Sequence, residues 1–175
     1  NQLSEDALEF FDILVTQASV ALENAYLFAR ANELATRDGL TGVYNHRHFF
    51  EVLEAEISRA ERHNQQLAVI MVDVDRSSGG LKMVKVRRAD VVARFGGDEF
   101  IILAPQTGHY EAMALGKRLC EGLGEKVFAV GKDQVRITVS VGVAVYRSSC
   151  GSSATAIVSL ADRSLYLAKE QGGSR

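Results

Sequence analysis

Residues Leu67 to Asp75 read LAVIMVDVD, an apolar run that closes on two acids. Its length and valine content predict a buried strand, because a half-exposed strand would alternate apolar with polar residues. A strand of this kind must be covered, and the chain carries helical patterns to cover it. Apolar periodicity predicts a helix from about His46 to His63 with Phe49, Leu53, Ile57 and Ala60 on one face. Further helices are predicted over 109–124, with Ala112, Leu115, Leu119 and Gly122 along it, and over 154–170. DVVARFGGDEFIILA predicts two strands joined as a hairpin around Gly96-Gly97, and Val135 to Tyr146 predicts another strand. The mixture implies an α+β fold, a central mostly antiparallel sheet flanked by helices.

Ahead of this pattern, residues 4 to about 36 read as one long helix, with Ser4 as cap and Glu5 and Asp6 in the first turn. Leu8, Phe11, Val15, Ala18, Leu22, Ala25 and Ala29 recur at alternating steps of three and four, a heptad seam. A helix packed on its own domain would satisfy that pattern. A parallel coiled coil pairing two protomers satisfies it better, since the helix is continuous and precedes a separate apolar pattern. The expected organisation is therefore an N-terminal coiled-coil helix over 1–36 and one globular domain over 37–175.

Composition narrows the function classes. A formal charge of −2 over 175 residues offers no electrostatic basis for generic nucleic-acid binding. No apolar run approaches the about 18 residues of a membrane span, and no basic segment with an apolar core opens the chain. Cys120 and Cys150 lack metal-ligand spacing and read as free thiols in a reducing compartment. These features point to the cytoplasm.

The chemistry is concentrated in acids. Asp73 and Asp75 end one predicted strand, and Asp98 and Glu99 follow the glycine pair of the hairpin. Four neighbouring carboxylates repel one another unless a cation sits among them, and hard oxygen donors suit Mg²⁺. Mg²⁺ takes one or two protein carboxylates and fills its shell with water and phosphate, so such a site is built to receive a nucleotide. Gly96 and Gly97 leave room for a phosphate to approach the backbone.

Gly96-Gly97-Asp98-Glu99-Phe100 is the signature of the GGDEF family of diguanylate cyclases, and the resemblance extends along the chain. DGLTGVYNHRHF (Asp38 to Phe49) resembles the opening motif of that family, and MVDVD its metal strand. ITVSVGVA resembles its later strand, and ADRSLYLAKEQG (Ala161 to Gly172) its final helix. ILVTQASVALENAYLFARANELATRDGLT resembles the closing helix of a GAF sensor domain running into a GGDEF domain.

The resemblance implies a palm-like sheet, related to that of nucleotidyl cyclases, that condenses two GTP into cyclic di-GMP and releases two pyrophosphates. Each domain would hold one GTP, so a homodimer through the N-terminal helix would be part of the mechanism. Asp73, Asp98 and the Val74 carbonyl would hold Mg²⁺, with Mn²⁺ as the alternative. Glu99 would support the second metal or the nucleotide, and Asp98 would help deprotonate the attacking hydroxyl. Gly96 and Gly97 would face the substrate and Lys169 its terminal phosphates, while Asp75 would orient the following loop. Arg87 and Asp90, in the tetrad Arg87-Arg88-Ala89-Asp90 that five residues separate from Gly96, match an inhibitory R-x-x-D site for cyclic di-GMP. An upstream GAF-like sensor would be a further partner.

After Asp75 the chain departs from the family. RSSGGLKMVKVRRAD is shorter than the corresponding family segment and lacks its Phe, its Asn and any Asp before Asp90. Residues missing from the written chain, a deletion bridged by Ser77-Ser78-Gly79-Gly80 and natural degeneration are the three accounts of it. The missing groups grip phosphates and read the guanine edge. The alternative expectation is thus a catalytically impaired or inactive module that binds cyclic di-GMP. A second departure stands at Gly173, where the family places an arginine.

Overall fold

The apolar run becomes β1 (Gln66–Asp75), and it is paired along both edges. A computed structural model describes residues 2–75, 86–124, 127–130, 133–136 and 138–172. In it β1 lies antiparallel to β3 (Glu99–Pro105) on one side and to β6 (Thr138–Arg147) on the other, with β2 (Val91–Gly96) outside β3. The order β2-β3-β1-β6 leaves β1 with no free edge, as its hydropathy requires.

Alternation along β1 divides the core. Leu67, Val69 and Met71 face one side with Ile101, Leu103, Ala144 and Tyr146. That side is covered by α2 (His46–His63) and α4 (Ala154–Glu170) through Phe49, Leu53, Ile157 and Leu165. Ala68, Ile70, Val72 and Val74 face the other side with Phe100 and Ile102, beneath Ala112, Leu115 and Leu119 of α3 (His109–Gly124). A fully buried aliphatic side chain of this sort contributes about 1.5–3 kcal/mol, so the three-layer arrangement is held mainly by these two clusters. The expected α+β architecture is what forms.

Helix limits follow local chemistry. Asn45 caps α2 by accepting a hydrogen bond from the His48 amide at 2.9 Å, and Asn64 ends it in the left-handed region at φ 51°. Ser153 caps α4 in the same way through the Ala156 amide. The structure departs from the sequence pattern in the region before β6. The strand expected over 135–146 is two: β5 (Asp133–Arg136) pairs with β4 (Val127–Val130) as a separate two-stranded sheet, and β6 begins at Thr138. Strand periodicity does not reveal a change of partner, because pairing is a tertiary choice.

The chain divides into two compact units, Asn1–Thr36 and Arg37–Arg175. The first is α1 (Gln2–Thr36), whose seam residues Leu8, Phe11, Val15 and Leu22 are 67%, 65%, 52% and 72% exposed. Phe10, Ile13, Val20, Leu27 and Leu34, on another side of the helix, are exposed too. Among the described residues no helix is long and apolar enough to cross a membrane.

The docking of α4 on the sheet depends on one absent side chain. A Cβ at Gly142, opposite Met71 on β6, would stand 2.2 Å from the Ala161 carbonyl oxygen and 2.2 Å from the Leu165 nitrogen. The helix backbone therefore rests directly on the strand. Gly142→Ala is expected to destabilise the domain by about 1–3 kcal/mol, the usual cost of overpacking. Urea unfolding measures this, and a midpoint equal to that of the parent would refute the close-contact account.

Candidate functional site

The alternation that buries Val69 and Met71 also sets Asp73 on the α4 side of the sheet. Glu99, the first residue of β3, lies directly opposite it in the ladder. Like charges directly opposed across a strand pair are destabilising. They are relieved here by α4, which brings Lys169 Nζ to 3.1 Å from Asp73 Oδ2 and 4.0 Å from Glu99 Oε1. Asp73 is recessed, with its side chain 18% exposed, whereas Glu99 and Lys169 are 39% and 40% exposed. The cluster is thus an open mouth at the end of a buried strand.

Gly97 and Asp98 form the turn between paired Gly96 and Glu99. Gly97 has φ +52°, a conformation that residues other than glycine adopt at a cost, and among the described residues no atom lies within 4 Å of the place a Cβ would take at Gly96 or Gly97. The turn is tied to β1 by the Val74 amide, which donates to the Asp98 carbonyl at 3.2 Å. Asp98 itself is exposed at the turn, and Glu99, expected at the tip, is instead inside the ladder. Two carboxylates already holding an ammonium are a donor set that accepts a hard cation and leaves room for water and phosphate oxygens. No group of three metal-ligating side chains is gathered among the described residues. The expected acids Asp73, Asp98 and Glu99 stand as a close pair with an exposed neighbour.

A brace behind the hairpin was not anticipated from the sequence. Arg94 donates through Nε to the Gly97 carbonyl at 3.0 Å, and its Nη1 lies 3.2 Å from Asp38 Oδ2. Asp38 in turn accepts from the amide and the hydroxyl of Thr41 at 2.8 and 2.6 Å. Desolvation works to raise the Asp38 carboxyl, but these hydrogen bonds and the Arg94 guanidinium outweigh it and hold the group below its ordinary value. The spacing Asp38-x-x-Thr41 was the available signal, a side-chain-closed turn; the partner Arg94 was not legible. Tyr44 completes the brace, its amide bonding Val92 and its carbonyl accepting from Arg94.

Arg87 and Asp90 form a tight turn: the Arg87 amide donates to Asp90 Oδ2 at 2.8 Å, and the Asp90 amide to the Arg87 carbonyl at 3.0 Å. Asp90 thereby serves its own backbone. Both residues line a cleft of about 120 Å³ against α3, together with Thr107, Glu111 and Arg118. Arg118 is a candidate the sequence did not single out, since an arginine on an amphipathic helix reads as a solvated face. Cys120 is a free thiol, pushed up from its ordinary value by burial and by Glu121, which disfavours the thiolate. The short segment over 76–85 and Gly173 to Arg175 lie outside the described residues.

The family model "Diguanylate cyclase, GGDEF domain" matches residues 35–78 and 82–175. The chain belongs to the GGDEF family. Diguanylate cyclase A of Treponema denticola is 26% identical over all of this chain and 52% of its own length. Probable diguanylate cyclase DgcC of Escherichia coli is 31% identical over 83% of this chain and 44% of its own. The chain thus spans about half the length of these curated relatives. Among solved structures, the coiled coil and GGDEF domain of DgcB from Caulobacter crescentus, in complex with c-di-GMP, superposes with a TM-score of 0.78 at 21% identity. It covers 93% of this chain and 95% of that one, a likeness of fold. Diguanylate cyclase SiaD of Pseudomonas aeruginosa, solved with its activator SiaC, gives 0.70 at 28% identity over 99% of this chain and 74% of that one.

The Asp38 brace predicts a pH dependence. Because its carboxyl is depressed in the folded state, its contribution is complete above the unfolded value and is lost as pH falls through the lower folded one. Asp38→Asn is expected to cost about 1.5–3 kcal/mol at neutral pH, the range for hydrogen bonds to charged groups. Denaturant titrations should show that gap closing only below about pH 4. A gap that closes between pH 5 and 8 would assign it to another group.

Proposed function

We infer that this GGDEF domain is a diguanylate cyclase that condenses two GTP into cyclic di-GMP and two pyrophosphates. The observation that carries the reading is the recessed Asp73 paired across the ladder with Glu99 beneath Lys169. Asp73 and Asp98, with the Val74 carbonyl, would hold Mg²⁺ or Mn²⁺, and Glu99 would support a second ion or the nucleotide. Bound there, a divalent ion supplies electrostatic stabilisation of charge developing on the α-phosphate.

The chain's own residues do the positioning. Gly96 and Gly97, with no described atom near where a Cβ would be, let phosphate reach the turn. Lys169, a compact charge with three donors, meets the terminal phosphates. A 3′-hydroxyl from the GTP of one domain attacks the α-phosphorus of the other; the new O–P bond forms as the bond to pyrophosphate breaks. Asp98, exposed at the turn, accepts the hydroxyl proton. Two domains must face each other for this. The exposed seam of α1 supports residues 1–36 as the pairing element and 37–175 as the cyclase domain. Its resemblance to a closing GAF helix supports an upstream sensor as the input, and the substrate supports a cytoplasmic site of action.

Product inhibition is assigned to the cleft at Arg87 and Asp90. The Asp90 carboxylate is engaged by its own turn, and the arginines at 87 and 118 line the same cleft, a pairing suited to phosphate and guanine edges. That cleft also favours the second reading, a binding module for cyclic di-GMP with little catalysis, because Arg87, Asp90 and Arg118 are kept where the guanine-reading groups of the family are missing.

Incubation with GTP and Mg²⁺, followed by detection of cyclic di-GMP, separates the readings. The parent should form product, Asp98→Ala should lose at least about 100-fold as expected for loss of a proton acceptor, and Arg87→Ala should lose sensitivity to added product. Binding of cyclic di-GMP without any turnover would favour the module. Leu22→Lys places a charge in the seam and should reduce both dimer mass and turnover; an unaltered dimer would remove α1 from the mechanism.

A further inference from the structure

Lys169 is bound to the wrong partners for a residue whose only task is to contact phosphate. Its ammonium lies 3.1 Å from Asp73 and 4.0 Å from Glu99, the two carboxylates that register forces together. The sheet fixes that opposition, since β1 is paired on both edges and neither strand shifts without moving its whole buried set. A counter-charge between them is therefore favourable. The position of α4 supplies one: its backbone rests on Gly142 at Ala161 and Leu165, and Lys169 follows one helical turn beyond.

We propose that Lys169 is an internal counter-cation that competes with the divalent ion for Asp73 and Glu99 and is handed to the phosphates when nucleotide enters. An ammonium has donors only and does not ligate a metal, so it and the ion repel one another and compete for these oxygens. Free metal must displace it and leave it without a partner. Metal arriving with a triphosphate displaces it onto a new anion. Metal and nucleotide affinities are thereby coupled through one side chain, and the coupling is reciprocal. The inference deepens the metal assignment given above and rests on it.

Binding of Mn²⁺ alone, followed by its electron paramagnetic resonance signal at fixed ionic strength, tests the exchange without turnover. Lys169→Met should bind Mn²⁺ more tightly than the parent, by about fivefold or more, the factor one unit charge a few ångströms away carries even in water. Lys169→Arg, which keeps the charge, should stay near the parent. With GTP present the order should reverse, the parent holding GTP and Mn²⁺ together more tightly than Lys169→Met. Equal or weaker Mn²⁺ binding by Lys169→Met would overturn the competition, and an order that fails to reverse with GTP would overturn the transfer to phosphate. If Asp73→Asn leaves Mn²⁺ binding unchanged, the metal assignment itself falls, a result distinct from the other two.

Discussion

The register of β1 between β3 and β6 is the constraint on which everything else in the domain rests. The strand is buried on both faces and bonded on both edges, so each of its residues is committed to one helix layer by parity. A slip by one position would present Ile70 and Val72 to α2 and α4, send Met71 beneath α3, and take Asp73 away from Glu99. The hydrophobic effect thus positions a pair of carboxylates that electrostatics alone would keep apart. The cross-strand repulsion at Asp73 and Glu99 is carried by a core worth far more than the about 0.2–1 kcal/mol such a pair costs.

The second dependency is steric. Without a Cβ at Gly142, α4 descends onto β6 until backbone meets backbone, and this is what makes Lys169 reach Asp73. The hairpin is held from the opposite direction. Arg94 grips the Gly97 carbonyl while pairing with Asp38 in the turn that opens the domain. The turn carrying Asp98 is consequently braced at its amide-bonded side by Val74 and at its rear by Arg94. In family terms, the opening motif and the glycine signature, far apart in sequence, are parts of one support.

Much of this was legible beforehand, and for physical reasons. The limits of α2 could be read because Asn45 caps it and Asn64 stops it, both local events. The acids at 73 and 99 announced themselves because charge at the end of an apolar strand has no packing explanation. Arg94 did not, because an arginine beside a turn is ordinary until its partner Asp38 is known. Arg118 was invisible for the same reason, its meaning lying in the cleft it shares with Arg87. The β4–β5 hairpin was missed because the composition of two four-residue strands, VFAV and DQVR, says nothing about which neighbour they choose.

The sequence by itself determined the kinds of element, their order and the presence of an acidic, glycine-flanked turn, since caps, periodicity and turn chemistry act between residues close along the chain. It also determined the family, through motifs in series. Tertiary structure alone decided that Asp73 faces Glu99, that Lys169 sits over both, and that Asp90 turns inward to its own backbone while Arg87 lines a cleft. Those are contacts across the sheet and between layers, and they exist only once burial of β1 has chosen its two partners.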